Sequence, residues 1–384
     1  MSGQYYAAGF ILGFFGGLLP GLHSNTLISI LASLGYDGEA LAFMIIALYP
    51  AHLVASFIPS IFFSVPEADT AASVLPGQRM VRMGLGPAAL RIVLLSCLLA
   101  ATLSALLFIP SLQFFPLAYS AIRPHIGLIL LSLVLFLLAR SRKPHLSALI
   151  FALAGILGQL CLGSGMQDPY LPLFSGMFAM AAIISYRKGD VPQQRECGAG
   201  RGFAAFVLPG VALGMLADLL PGIGSPSQVA TFATILMPPG AAGYLALISS
   251  ISVSQAVFSL ATSASIGKSR VGATAWLSES TDVPSNLAVL VLLFLLSLGA
   301  AAILAFAARK TVARLAGADF SKINIVLAVY LAAVTFVIDG PEGLLALGVS
   351  TGLGLLTLRL GVERTNLMGS IILPTLMLLF RIRI

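Results

Sequence analysis

The sequence predicts an all-α polytopic membrane protein built from two related halves, and three observations support this fold class. Hydrophobic residues make up 58% of the 384 residues and charged residues only 9%, and the mean hydropathy is +1.01. Soluble domains carry roughly 25% charged residues, so this composition cannot cover a water-facing surface. Apolar runs of about 20 residues recur along the chain, long enough to cross a bilayer. Finally, one Pro-Gly phrase occurs twice in similar apolar surroundings.

The repeated phrase is the most informative element. Residues 9–31 read GFILGFFGGLLPGLHSNTLISIL, and residues 210–236 read GVALGMLADLLPGIGSPSQVATFATIL, so that Pro20-Gly21 aligns with Pro221-Gly222. A Pro-Gly inside an apolar stretch predicts a helix interrupted at membrane depth, which is tolerated only beside protein or a water-filled cavity. Matched interruptions in two halves point to the binding site of a transporter.

The remaining apolar segments define the organisation of the chain. We expect an N-terminal repeat over residues 1–186, a polar linker over 187–201 and a C-terminal repeat over 202–384. Each repeat contains one broken, re-entrant hairpin followed by five spans. The predicted spans are 40–63, 86–109, 124–139, 145–163 and 170–186, then 242–263, 285–309, 322–338, 343–358 and 366–381. The first hairpin also carries Gly9, Gly13 and Gly17 at a spacing typical of close helix packing.

Loop charges predict the orientation, because short cytoplasmic loops carry excess Lys and Arg. The loops with Asp168 and with Asp339 and Glu342 contain no basic residue, and we expect them outside. The basic residues expected inside are Arg140, Arg142, Lys143, Arg187, Lys188, Arg195, Arg201, Arg309, Lys310, Arg314, Lys322, Arg359 and Arg364. Five crossings per half satisfy these assignments and make the two repeats inverted, with an external N-terminus and a cytoplasmic linker. A full crossing by each broken element would instead make the halves parallel.

Two details at the chain ends complete the orientation. The tail residue Arg381 fits the external C-terminus poorly. The N-terminus has no basic n-region, so no cleaved signal peptide is expected.

Small polar residues follow both Pro-Gly breaks and are the candidate substrate-binding residues. Free N–H groups and a partial positive charge at the start of a helix suit an anionic ligand. The candidates are Pro20, Gly21, His23, Ser24, Asn25 and Thr26 in the first half, and Pro221, Gly222, Gly224, Ser225, Ser227 and Gln228 in the second. The alternative is a simple helix kink with capping residues.

Charged residues near the breaks are candidates for coupling, gating and anion binding. Asp218 precedes Pro221 within an apolar stretch, and carboxylates there are costly and usually face a cavity or a partner. It is the candidate for ion or proton coupling; helix capping or an interfacial position is the alternative. The segments 58–92 and 263–286 are candidate gates, with solvated loops as the alternative. They contain Glu67, Asp69 and Thr70 as gating candidates, and Arg79, Lys268 and Arg270 as cations for an anion.

The segment GFFGGLLPGLHSNTL resembles the glycine–proline–glycine signature of the large permease subunit of tripartite tricarboxylate transporters. Residues 58–92 are similar to a second motif of that family, with Val65-Pro66 at its turn and Pro76-Gly77 in the segment that follows. The resemblance implies an inner-membrane permease that imports carboxylate anions such as citrate, driven by a gradient of H+ or Na+. It also implies a small membrane subunit and an extracytoplasmic binding protein as partners. His23 and Glu67 stand where the family has glycine, so tricarboxylate specificity does not follow from the resemblance.

Two alternative functions compete with the permease. The stretch GMLADLLPGIGS is similar to a signature of polyprenyl-phosphate translocases, with Ala217 and Asp218 among the matches, and implies a carrier-lipid flippase. A membrane enzyme would need a convergent acid–base or metal constellation. The three cysteines and four histidines lack metal-ligand spacing. The sequence contains no cofactor motif and no nucleic-acid surface, and we do not expect an enzyme.

Overall fold

The computed structural model describes residues 2–19, 22–63, 70, 73–186, 191–196, 198–200, 202–219, 226, 229–230, 240–316, 319 and 321–382. Within this part of the chain the protein is helical, and seven helices are long and apolar enough to cross a membrane. These are Gly38–Phe62, Gly86–Leu106, Phe108–Arg140, Pro144–Leu162, Ala241–Ile266, Val283–Leu315 and Ser321–Leu360. The predicted class, an all-α polytopic membrane protein, is therefore confirmed.

The first half begins with two helices separated by the first Pro-Gly break. Helix α1 ends at Leu18 and α2 begins at Ser24, as the sequence predicts. The helices of this half are α1 (Ser2–Leu18), α2 (Ser24–Ser33), α3 (Gly38–Ala55), α4 (Phe57–Phe62), α5 (Val74–Arg82), α6 (Gly86–Leu106), α7 (Phe108–Ile122), α8 (Ile126–Arg140), α9 (Pro144–Leu162), α10 (Tyr170–Phe174) and α11 (Ala181–Ile184). A π-helical segment, Ser175–Met180, joins the last two.

The second half also begins with a helix that ends shortly before its Pro-Gly motif. Its helices are α12 (Val207–Ala217), α13 (Ala241–Ile266), α14 (Gly272–Ser280), α15 (Val283–Leu315), α16 (Ser321–Leu360) and α17 (Gly369–Leu379). Helix α16 is broken at Gly340, whose positive φ of 64° only glycine adopts readily, and Pro341 follows. This break falls in the gap predicted between the spans 322–338 and 343–358.

The structure corrects the prediction for residues 110–123, which we expected to form a connection. They are helical, and α7 continues through the short 3-10 turn Arg123–His125 into α8. This stretch contains Pro110 and Pro116. Prolines are tolerated in membrane helices because neighbouring groups satisfy the freed carbonyls, so their presence did not end the helix.

Glycines bring α1 into direct backbone contact with α3, and α12 into direct backbone contact with α13. A Cβ at Gly13 would collide with the carbonyl group of Leu48 in α3. In the second half, a Cβ at Gly214 would lie 2.7 Å from the carbonyl oxygen of Ile251 in α13. The same close crossing is therefore built twice, as the small-xxx-small spacing in the first half predicts.

Helices of each half also pack against helices of the other half. Helix α6 packs on α13 of the other half, and α15 packs on α3. Gly158 in α9 lies against the backbone of Ser370 in α17, while Gly354 in α16 lies against the carbonyl of Met177. Helices of each half therefore find major packing partners in the other half.

The linker between the halves is tied to both of them. The side-chain oxygen of Gln194 accepts a hydrogen bond from the Gly86 amide at 2.9 Å, at the start of α6. Glu196 forms ion pairs with Arg91 of α6 at 2.7 Å and with Arg309 of α15 at 3.2 Å. The start of α6, the end of α15 and the linker therefore lie on one face of the protein.

Candidate functional site

A small cavity lies where the two halves meet beside the first Pro-Gly break. Its described lining combines hydroxyl, imidazole and apolar side chains from both repeats: Ser24, Tyr49, His52, Leu53, Ser56, Phe57, Thr70, Pro226 and Ser252. Ser24 follows the first break, and Pro226 belongs to the second repeated phrase. The two phrases singled out by the sequence therefore reach one cavity.

The N-terminus of α2 forms one wall of this cavity. His23 caps the helix, and its Nδ1 accepts a hydrogen bond from the Asn25 amide at 3.3 Å. Ser24, the first residue of α2, is 2% exposed and lines the cavity. A helix that begins here directs its early N–H groups and the positive end of its dipole toward the cavity side of the break.

His52 forms the opposite wall and fixes the chain just after the break. Its Nε2 lies 2.8 Å from the carbonyl oxygen of Leu22. Because a carbonyl oxygen only accepts, this nitrogen carries the proton. The His52 and His23 rings are 6.4 Å apart. The side chain is buried within α3, so the imidazole is held in place rather than solvated.

Thr70 closes the cavity from the first candidate gate, the segment 58–92. The Thr70 carbonyl accepts hydrogen bonds from the Ser60 and Ser73 hydroxyls at 3.2 and 2.7 Å. The two serine hydroxyls also bond each other at 2.5 Å. A hydroxyl pair also joins the second candidate gate, the segment 263–286, to α13. The Ser259 hydroxyl of α13 lies 2.6 Å from that of Thr274.

The other residues after the first break point away from the cavity lining. The Thr26 hydroxyl donates to a carboxylate oxygen of Asp168 at 3.0 Å. Asn25 packs against α14, since a Cβ at Gly272 would lie 2.7 Å from its amide carbon. Of the three polar residues Ser24, Asn25 and Thr26, the structure places one on the cavity and uses the other two to join the break to other elements.

Asp218 follows α12 and is completely buried. One carboxylate oxygen accepts a short hydrogen bond from the Thr262 hydroxyl of α13. The other oxygen has no hydrogen-bond partner among the described residues. Asp218 also interacts electrostatically with Arg270 in the second candidate gate. An intramembrane carboxylate with an open coordination position is suited to take up a proton or a cation.

The three candidate cations lie outside the described cavity lining. Arg79 is exposed on α5, and Lys268 is exposed after the end of α13. Arg270 is partly buried, near Asp218. The remaining candidates lie outside the described residues, and these are Pro20, Gly21, Glu67, Asp69, Pro221, Gly222, Gly224, Ser225, Ser227 and Gln228.

Sequence reasoning missed the contribution of the long helices to the site. Tyr49, His52 and Ser56 come from α3, and Ser252 comes from α13. The available signal was the polar character of these residues within otherwise apolar spans, which marks functional positions in membranes. Asp168 was treated only as an orientation marker, although it is buried and also accepts the Leu171 amide at 3.3 Å.

Comparison with known proteins decides the family. Residues 4–369 match the tripartite tricarboxylate transporter TctA family. The chain belongs to this family. It is therefore a multi-pass membrane protein of a transporter family, and the resemblance seen in the first break and in residues 58–92 is confirmed.

A relative in Methanocaldococcus jannaschii, the uncharacterized protein MJ1079, is 28% identical over 285 residues, which are 70% of each chain. No solved structure matches the chain. The family match spans both halves, whereas the resemblance to polyprenyl-phosphate translocases is confined to one motif around Asp218. Nothing in these comparisons supports the flippase.

Proposed function

We propose that this protein is the permease of a secondary-active transporter and that it moves a carboxylate anion through the cavity between its halves. The single observation that carries this proposal is that the first break, α3 and α13 converge on one cavity together with Pro226. Binding sites of transporters with repeats lie at such a junction of broken helices.

The anion binds at the start of α2, where Ser24 and the helix N–H groups donate to its carboxylate. Tyr49, Thr70 and Ser252 supply further hydroxyl groups around it. After the second break, Pro221, Gly222, Gly224, Ser225, Ser227 and Gln228 complete the site in the same way. Alternating access follows from rocking one half against the other, and the reciprocal packing of α6 on α13 and of α15 on α3 supplies two equivalent sliding surfaces.

Asp218 couples transport to a gradient of H+ or Na+. Its open carboxylate oxygen and the Thr262 hydroxyl form the uptake position. Arg270 senses the charge on Asp218 from the second gate. The first gate is the segment around Glu67, Asp69 and Thr70. Arg79 and Lys268 attract the anion before it enters the cavity.

The two repeats are inverted, with the linker on the cytoplasmic side of the inner membrane and the N-terminus outside. The clustering of Glu196, Arg91 and Arg309 on one face agrees with this orientation. A small membrane subunit and an extracytoplasmic binding protein deliver the substrate, as the tripartite organisation in the family's name implies.

Uptake by the purified protein in proteoliposomes tests this function. A labelled carboxylate is offered with an imposed Na+ or H+ gradient, with and without the accessory proteins encoded with it. We expect saturable uptake. Ser24→Ala should raise KM about tenfold, because a hydrogen bond to a charged group contributes about 1.5 kcal/mol. The matched control is Ser120→Ala, at an exposed helical serine whose hydroxyl bonds only the Leu117 carbonyl among the described residues. Absence of uptake of every carboxylate tested would overturn the proposal.

A further inference from the structure

Two loops that are rich in arginine and lysine meet at one end of the protein. The first joins α8 to α9 and the second joins α16 to α17, so each half contributes one loop. The Lys143 ammonium donates a hydrogen bond to the Leu360 carbonyl at 2.6 Å, which ties the two loops together. The 3-10 turn Arg364–Met368 also packs on α9. Residues 140–145 and 359–365, all of them described, form what we call the basic surface.

The basic surface carries positive charge that the described chain does not neutralise. It contains one acidic residue, Glu363, and five basic residues, which are Arg140, Arg142, Lys143, Arg359 and Arg364. Arg364 is partly buried and the other four are exposed. Among the described residues, none of the five forms an ion pair with a carboxylate. An excess of positive charge is therefore available to a ligand from outside the chain.

Arg364 lacks the carboxylate partner that the arginines beside the linker have. Arg91 and Arg309 both pair with Glu196, at 2.7 and 3.2 Å. The Nη1 atom of Arg364 is buried and has no hydrogen-bond partner among the described residues. Burying part of a charged group without a partner is costly. An anion bound from outside the chain would remove this cost.

Apolar side chains next to the basic surface place it at the boundary between lipid and water. Large apolar side chains are exposed within two turns of the loops on three helices: Phe136 in α8, Leu149 in α9 and Leu356 in α16. On a membrane protein such side chains contact acyl chains, whereas Lys and Arg near helix ends extend to the headgroups. A ligand bound here therefore meets cations on one side and an apolar surface on the other, as a phospholipid does.

We propose that the basic surface binds the phosphate group of an anionic phospholipid and that this lipid joins the two halves. Arginine presents paired N–H donors that match phosphate oxygens, and basic pockets between membrane helices bind anionic headgroups. Arg364 donates from the second half through its unpartnered nitrogen, and Arg142 donates from the first half. The acyl chains lie along the exposed apolar side chains of α8, α9 and α16. The basic surface shares no residue with the described cavity lining, so this inference does not depend on the proposed function.

The thermal stability of the purified full-length protein in detergent tests the class of ligand. Dioleoyl phosphatidylglycerol is the anionic probe, and dioleoyl phosphatidylcholine is its match, with the same acyl chains and no net charge. We expect saturating phosphatidylglycerol to raise the unfolding midpoint by about 5 °C, because a ligand that binds only the folded state stabilises it. Phosphatidylcholine should leave the midpoint unchanged. Inorganic phosphate in large excess should also leave it unchanged, because it lacks acyl chains.

A matched pair of double variants locates the lipid. Arg142→Gln/Arg359→Gln removes one exposed cation from each loop. It should raise the Kd for phosphatidylglycerol, measured by native mass spectrometry, by about thirtyfold, because each cation strengthens the attraction by about fivefold. Arg123→Gln/Arg381→Gln removes the same charge from exposed positions that precede α8 and follow α17, away from the basic surface. This control should bind phosphatidylglycerol as the wild type does.

Three results would overturn the inference. Equal stabilisation by phosphatidylglycerol and phosphatidylcholine would show that the headgroup charge is not recognised. A comparable shift with inorganic phosphate would show that the ligand is a free anion instead of a lipid. Equal losses of affinity in the two double variants would show that the net positive charge of the protein attracts the lipid without a defined site. The two double variants change only exposed residues, so the comparison does not require a substitution at the partly buried Arg364.

Discussion

Gly17 and Asp218 align when the two Pro-Gly motifs are superposed, and their structural roles differ. A Cβ at Gly17 would lie 2.6 Å from the carbonyl oxygen of His52, so this position is committed to close contact between α1 and α3. Asp218 instead places a buried carboxylate against Thr262. The shared architecture therefore supports two uses of one position, with close packing in the first half and a titratable group in the second.

The polar residues at the cavity show the same division of roles. The first half contributes most of the described lining, including the imidazole of His52, whereas the second contributes Ser252 and Pro226. The buried carboxylate and its neighbouring cation, Arg270, belong to the second half. Under the proposed function, the first half would supply most of the solute site and the second half the coupling group.

The largest effect is expected from Asp218→Asn, which removes the chemical difference between the halves while keeping the side-chain shape. Concentrative uptake should be abolished, whereas exchange of substrate across the membrane should persist, because binding at α2 is untouched. Gradient-driven uptake and substrate exchange are each measured in proteoliposomes. Asp282→Asn, at an exposed residue preceding α15, is the control and should behave as the wild type. Unchanged gradient-driven uptake by Asp218→Asn would exclude this carboxylate as the coupling group.

The next effect in size concerns the close crossings that the halves share. Gly13→Val should destabilise the protein by about 3 kcal/mol, since overpacking against rigid backbone cannot relax. Gly214→Val should cost less, because its collision partly involves the Ser254 side chain. The midpoint of thermal unfolding in detergent measures both changes.

Gly299→Val is the control for these two variants. It makes the same substitution within α15, where nothing lies within 4 Å of the added Cβ. Its unfolding midpoint should be close to that of the wild type. Equal midpoints for Gly13→Val and Gly299→Val would show that the first crossing is not tightly packed.

The smallest effect is expected where the linker joins the halves. Glu196→Gln weakens the pairs with Arg91 and Arg309, and exposed ion pairs typically contribute less than about 1 kcal/mol each. The unfolding midpoint should fall by a small amount at low salt, and the difference from the wild type should vanish at high salt. Gln194→Ala is the comparison, because its hydrogen bond to Gly86 is not ionic. If the lower unfolding midpoint of Glu196→Gln persisted at high salt, the stabilisation by Glu196 would not be ionic.

Much of the fold could be predicted from apolar runs and from the positions of Pro and Gly. Apolar runs predicted the spans because a bilayer demands them, and the breaks after Leu18 and at Gly340 follow from Pro and Gly chemistry. The predicted gap at residues 110–123 was wrong, because this stretch is helical and continues through Arg123–His125 into α8. The repeat between the halves was visible because the same phrase is written twice.

The site was harder to predict because contacts between distant helices leave little trace in local sequence. The family could be inferred from the motif around the first break, and Ser24, a candidate from the same motif, lies on the cavity. The convergence of His52 and Ser252 on one cavity depends on how α3 and α13 pack, which no local pattern encodes. The hydrogen bond from the Thr26 hydroxyl to Asp168 likewise joins residues that are far apart in sequence. Which hydroxyl faces a cavity and which one ties elements together is decided by tertiary structure alone.

The reciprocal exchange of partners has a consequence for biogenesis. Helix α9 and the segment Ser175–Met180 find their main partners in α17 and α16, which are synthesised after them. Until α17 is made, Gly158 lacks its contact with the Ser370 backbone. The packing of α9 is therefore completed only when α17 docks onto a segment synthesised some two hundred residues earlier.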